Sequence, residues 1–191
     1  MHLNETDSSR FYKIWLGILE YTNQKYKTVP KLKAIRSAKS INPTELIPIR
    51  DLLWENTEII DKFILENPYS LEQQDIDILL GWKRRIPGRF IMLKHLKSYS
   101  VFMSAEDGGK LYAVTGIIDS LSDMFHSSQL PLFMEAVLIP FENRIIYDSL
   151  LMPYSIHIGS NMRKGFNEEY REIKAKQGIR KVFDVTFWWE M

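Results

Sequence analysis

Pro87-Gly88-Arg89-Phe90-Ile91-Met92-Leu93 is the stretch at which the chain changes period. Before it, apolar residues recur at helical spacing; from it onward they gather in short aromatic and β-favouring runs bounded by breakers. The next run is Tyr99-Ser100-Val101-Phe102-Met103. Asp107-Gly108-Gly109 then supplies the positive-φ residues of a tight hairpin, leading into Leu111-Tyr112-Ala113-Val114-Thr115. Beyond a short helix over Leu121 to Phe125, Phe133 to Ile139 and Arg144 to Tyr147 pair across Pro140-Phe141-Glu142-Asn143, and Tyr154 to Ile158 adds a last strand. The total is about five or six strands, mainly antiparallel.

Upstream of the switch the pattern is helical. Ser8 or Ser9 caps a helix whose Phe11, Ile14, Trp15, Ile18 and Leu19 share a face to about Gln24. Asn42-Pro43 with Glu45 opens a second, Thr57 starts a third, and Ser70 with Gln73 makes a capping-box pattern ahead of Ile76, Leu79 and Leu80. Downstream, Asn167 followed by Glu168 and Glu169 caps a C-terminal helix with Phe166, Tyr170 and Ile173 on its apolar side, ending at Gly178. Val182 to Trp189 is β-prone and reads as a docked last strand. The expectation is therefore an α+β chain, with a helical region over 1–81 and an antiparallel α+β domain over 82–191, packed together as one unit.

Composition excludes several classes of function. Hydrophobic residues make up 45% and aromatics 13% of 191 residues, enough to build a core without staples. There is no cysteine, hence no disulfide, zinc thiolate site or cysteine nucleophile. The start, Met1-His2-Leu3-Asn4-Glu5, lacks the basic-then-apolar order of a signal peptide, and no apolar run approaches a membrane span. A cytoplasmic protein with no membrane attachment is expected. Its 25 basic and 24 acidic residues give a net charge of +1, so attraction to nucleic acid would have to come from a local patch.

The strings Gly88-Arg89-Phe90-Ile91, Tyr112-Ala113-Val114-Thr115-Gly116-Ile117, Leu138-Ile139-Pro140-Phe141-Glu142-Asn143-Arg144-Ile145-Ile146-Tyr147-Asp148-Ser149-Leu150 and Tyr154-Ser155-Ile156-His157-Ile158-Gly159 carry a resemblance. Over roughly Trp82 to Gly178 the chain resembles a family of uncharacterised bacterial proteins built on a Pro-Phe-x-x-x-Ile-Ile-Tyr-Asp core. Ile139 stands for the family's usual Leu, and Ser149 stands where Gly is common. If that Gly takes a positive φ, Ser149 must adopt it at some strain or the local turn differs. The resemblance implies a fold boundary and a bacterial cytosolic setting, and no activity.

Candidate sites stand beside structural readings. Tyr147 and Asp148 end an apolar strand, where a carboxylate can act as acid or base and a phenol can orient a substrate; equally, Asp148 can serve the following turn. His157 shares a strand face with Ser155, without a nucleophile motif. His126 lies near Asp119, Asp123 and Glu135, but the two aspartates also read as helix-cap residues, so no metal is assigned. Ser160, Asn161, Arg163 and Lys164 lie in a glycine-bounded loop that reads first as a solvated connection and otherwise as one able to hold a small anion on backbone N–H groups. It carries no nucleotide-binding fingerprint, and no cofactor is expected.

Lys25, Lys27, Lys31, Lys33, Arg36 and Lys39, with Tyr26 among them, form the one marked charge bias and can lie along a nucleic-acid backbone or simply be solvated. Trp188-Trp189 puts one indole on each strand face, which reads first as core-plus-edge packing and otherwise leaves one indole for a protein partner or self-association. Three function classes follow. The first is a non-enzymatic binding or protein-interaction protein, favoured because no catalytic constellation is assembled. The others are a nucleic-acid-associated factor using residues 25–39 and an enzyme with a pocket near Asp148 and His157.

Overall fold

The structure, a computed structural model, describes residues 1–36, 42–106, 109–156 and 158–183. The expectations for Lys39, Asp107-Gly108, His157 and the strand from Val182 to Trp189 fall wholly or largely outside these residues. Two compact units divide the chain: Asn4–Lys83, and Met1–Leu3 with Arg84–Met191. The first tripeptide thus goes with the strands, because the Leu3 N–H donates to the Gly116 carbonyl (3.0 Å) and the Gly116 N–H to that of Met1 (3.2 Å).

Among the described residues the first unit holds four helices, α1 (Glu5–Tyr26), α2 (Pro43–Glu55), α3 (Glu58–Glu66) and α4 (Gln73–Trp82). Helix α1 begins a turn earlier than expected. Asn4 is its cap, accepting the Asp7 N–H at 2.8 Å, and Glu5 and Asp7 place acid charge on the positive end of the helix dipole. The cap and first-turn proline of α2 form as expected from Asn42 and Pro43. The capping box expected at Ser70 does not form: Ser70 has φ +52°, and the Asn67 side chain takes the Leu71 N–H at 2.6 Å instead. Phe11, Ile14, Trp15 and Ile18 are buried, as their spacing requires. The Trp15 ring stacks on Trp54 with centroids 5.6 Å apart and meets Trp82 edge-on at 5.8 Å.

The second unit contains β1 (Ile86–His95), β2 (Ser100–Ser104), β3 (Leu111–Val114), α5 (Leu121–Met124), β4 (Leu132–Phe141), β5 (Arg144–Pro153) and α6 (Ser160–Gln177). Its sheet is mixed and closes on itself in the order β1-β2-β3-β5-β4. Four of the pairings are antiparallel; β3 and β5 run parallel, through the single register pair Val114–Ile145 and a Thr115 N–H to Ile145 carbonyl bond of 2.9 Å. Among the described residues this is a closed five-stranded barrel with one parallel seam. The α+β class stands.

Two expectations within the sheet are corrected. Pro87-Gly88 does not precede β1 but lies inside it, opposite Val137 and Ala136, near the strand start where a missing donor is tolerated. Among the described residues of the 154–158 stretch no separate strand forms. Instead β5 runs to Pro153, and Tyr154 adds one bond to the Phe133 carbonyl (2.9 Å) before the ladder ends. The β4–β5 register shifts between Ala136 and Leu138, and Ser149, on the partner strand, takes φ +69° in that bulge. Of the two alternatives for Ser149, positive φ at some strain or a different turn, the structure shows positive φ.

Alternation along the strands sorts their side chains. Ile91, Met103 and Leu111 face one another across β1, β2 and β3 on the outer wall, while Met92 and Phe102 pair on the other face. All five are buried. The outer wall is buried because α6 lies on it: Tyr170 and Ile173 join Ile91, Val101, Met103 and Leu111 in one cluster. With both faces covered, these strands read as continuous apolar runs. Gly109, at φ +66°, permits the close approach, since a side chain there would place its Cβ 2.4 Å from the Ile173 methyl.

Candidate functional site

Helix α6 positions the site. It begins at Ser160, capped by Gly159 in extended conformation, and not at Asn167. The residues expected to form an anion-holding loop are therefore its first turns. Arg163 is engaged there: its Nε donates to the Ile158 carbonyl at 3.1 Å and its Nη1 to the Leu130 carbonyl, bracing the start of α6 against the segment entering β4. Lys174 and Lys176 lie in the last turn, suiting the negative end of the dipole.

The contact between α6 and the barrel is uneven. Its second half is locked by Tyr170 and Ile173, whereas beside its first half a cavity of about 400 Å³ remains. Ile91, Met103, Phe133, Ile158, Met162 and Phe166 make most of its wall. Its polar groups are few. Glu169 lines it, as does Arg89, whose Nε is 3.1 Å from a Glu106 carboxylate oxygen; the Ser104 hydroxyl donates to the Glu106 carbonyl at 3.0 Å. Exposed Ile156 (51%) and Met162 (49%) continue the apolar lining outward. Tyr154 stands near Phe133, with ring centroids 5.4 Å apart, and donates to Glu135 at 3.2 Å.

A second cavity of about 260 Å³ lies on the other flank of Phe166, lined by Leu93, Lys94, His95, Ser127, Leu130, Pro131, Arg163 and Asn167. It is the more polar of the two. The His95 Nε2 is 2.8 Å from the Phe125 carbonyl, which can only accept, so that nitrogen carries the proton and Nδ1 accepts from the Ser100 hydroxyl at 2.7 Å. The Lys94 ammonium rests 3.8 Å from the centroid of the Tyr170 ring, a cation–π contact.

The expected catalytic pair lies elsewhere. Asp148 is wholly buried on β5, Tyr147 is buried with its hydroxyl 3.5 Å from Met124 sulfur, and neither lines these cavities. His157 lies outside the described residues. His126 takes the Ser128 N–H on Nδ1 and caps a 3₁₀ turn over Ser127–Gln129. Among the described residues no group of three His, Asp or Glu side chains could hold a metal ion.

In the helical unit, the basic segment is tied down at several points. Lys25 pairs with Glu66 at 2.9 Å, Lys27 ends α1 in the left-handed region, and the Arg36 guanidinium stacks 3.9 Å from the Tyr69 ring centroid; Lys31 and Lys33 are exposed. Glu20 organises this stretch, accepting the N–H groups of Ile35 (2.7 Å) and Arg36 (2.9 Å) and the Tyr69 hydroxyl (2.9 Å). Burial pushes the Glu20 carboxyl up, but these donors and the Arg36 charge outweigh it and hold the group below its ordinary value. Burial and then the Glu20 carboxylate push the Tyr69 phenol up to about 12.

A carboxylate with a lowered folded value stabilises the fold above its ordinary value, and that contribution is lost as pH falls through the lowered one. The expected result is that acidification from about pH 5 to pH 3 lowers the Tm of the native chain more than that of Glu20→Gln, measured by circular dichroism.

Sequence reasoning missed both cavities, His95 and Glu20, since each depends on residues distant in the chain. Asp75 had a signal: it shares a helical face with Ile78, Leu79 and Trp82, where an acid is out of place. No protein-family model matches the chain, and neither the curated proteins nor the solved structures yield a significant match.

Proposed function

We propose that the barrel unit is a non-enzymatic binding module that takes the apolar part of a small amphipathic molecule between α6 and strands β1 and β2. The observation that carries this is the cavity itself. Its volume of about 400 Å³ falls in the range of small-molecule sites, and its wall is apolar with a few polar groups at one side, the usual composition of such sites. The one hydroxyl among those groups, on Ser104, is engaged with its own turn, which suits binding better than nucleophilic chemistry.

The same geometry weighs against nucleic acid on the barrel. Five-stranded Greek-key barrels bind oligonucleotides over the face of strands 2 and 3, and here Tyr170 and Ile173 of α6 cover Val101, Met103 and Leu111 on that face. The resemblance to bacterial proteins spans this same unit, and a cytoplasmic setting goes with the proposal. Among the described residues no helix is long and apolar enough to cross a membrane.

Met103→Trp fills the cavity from its floor. An anilinonaphthalene sulfonate probe is expected to bind the native chain with enhanced fluorescence and to bind the variant at least about tenfold more weakly; because Met103 also packs in the buried cluster the variant loses some stability, and circular dichroism checks that it remains folded. Undiminished binding by a folded variant would overturn the proposal.

A further inference from the structure

Phe166 lines both cavities, one on each flank of α6. We infer that Phe166 is the movable partition of one elongated site, whose ligand is a single unbranched aliphatic chain ending in an anionic head. The chain would lie across β1 beneath the first half of α6, with its apolar body against Ile91 and Met103 and its head beside Lys94. The inference rests on the reading of the first cavity as a ligand site.

Three observations carry it. First, the compartments differ in chemistry. One is walled by Ile91, Met103 and Phe133; the other offers Lys94, Ser127 and Asn167. A molecule spanning them needs an apolar stretch followed by a polar end.

Second, the charge on the polar side is positive. Lys94 rests over an aromatic ring and forms no ion pair among the described residues, and Arg163 adds a second cation held by backbone carbonyls. A carboxylate or similar anion is the complementary head.

Third, the helix is soft where the partition would have to move. Gly165 precedes Phe166 in mid-helix, and a Cβ there would meet nothing within 4 Å, so no close contact requires a glycine. Glycine at such a position weakens a helix relative to alanine. Tyr170 and Ile173 lock the next turns, while Phe166 is only partly buried, packing against their cluster between the compartments. A branched or fused-ring molecule fills one compartment; only a narrow chain passes one phenyl ring to reach both.

The full chain is titrated with octanoate, decanoate and dodecanoate below their micelle concentrations, by displacement of anilinonaphthalene sulfonate. Affinity is expected to rise about fourfold for each methylene added. Phe166→Trp, which enlarges the partition, is expected to bring dodecanoate back to the affinity of octanoate. Lys94→Glu is expected to weaken dodecanoate at least about fivefold and to leave dodecanol unchanged. A plateau beyond octanoate, or equal loss of dodecanoate and dodecanol in Lys94→Glu, overturns this inference while probe binding sustains the first-cavity reading. Absence of probe binding to the native chain overturns both.

Discussion

Gly116→Ala is expected to destabilise the barrel unit by about 3 kcal/mol, read as a fall in the urea midpoint. The added Cβ would lie 2.0 Å from the Asp119 carbonyl oxygen, 3.1 Å from its carbon and 3.2 Å from Ser120 Cα. All three are backbone atoms, so no side-chain rotation relieves the overlap. The turn leading to α5 must move, and with it Ser120, whose hydroxyl caps that helix by accepting the Asp123 N–H. Gly116 also holds Met1–Leu3 through two backbone bonds, so the same shift loosens the first residues of the chain. Gly165→Ala is the matched control. The identical change at an open helical position is expected to raise stability by roughly 0.5–1 kcal/mol. A barrel that tolerated Gly116→Ala without loss would show that the β3–α5 turn is not as tight as described.

The other large effect belongs to the helical unit. Asp75 is fully buried, with Lys13 Nζ 3.0 Å from one carboxylate oxygen and Arg10 Nε 3.0 Å from the other. The Lys13 contact is a hydrogen bond; the Arg10 contact is close in distance but out of line for one. Replacing both cations by Met leaves a buried carboxylate without compensation. The expected loss is about 3 kcal/mol, at the low end for such a disruption because Arg10 and Lys13 are themselves partly exposed. Adding Asp75→Leu to the double variant should recover most of that loss, since an apolar group in a buried site no longer needs the pair. Equal destabilisation of the double and triple variants would assign the effect to lost packing by the long side chains.

What could be read in advance follows the range of each interaction. The helical face of Phe11, Ile14, Trp15 and Ile18 is local, and so were the Asn42 cap and the strand runs around Phe102 and Leu138. Which of several cap-competent residues is used was less legible: Asn4 prevails over Ser8 and Ser9, and α4 starts after Glu72 with no side-chain cap bond, Ser70 being left in the preceding turn. Closure of the sheet could not be read, because the parallel β3–β5 contact joins Val114 to Ile145 with one register pair and leaves no pattern in either strand. Gly159 and Gly165 suggested a loop, yet the helix runs through Gly165, its later turns held by packing of Tyr170 and Ile173. The cavities are assembled from β1, β2, α6 and the segments beside them, so no single stretch announces them.

The unequal seating of α6 has a consequence for how occupancy of the cavity beside it would be felt. A helix clamped at Tyr170 and Ile173, braced at its start by Arg163 and resting beside open space near Met162 and Phe166, is expected to open locally more often in its first half than in its second. On the proposed reading, an occupant of that space would fill the gap with the barrel unchanged. Binding would then be registered as quieting of one half of a helix, transmitted as lost conformational freedom with little change of shape.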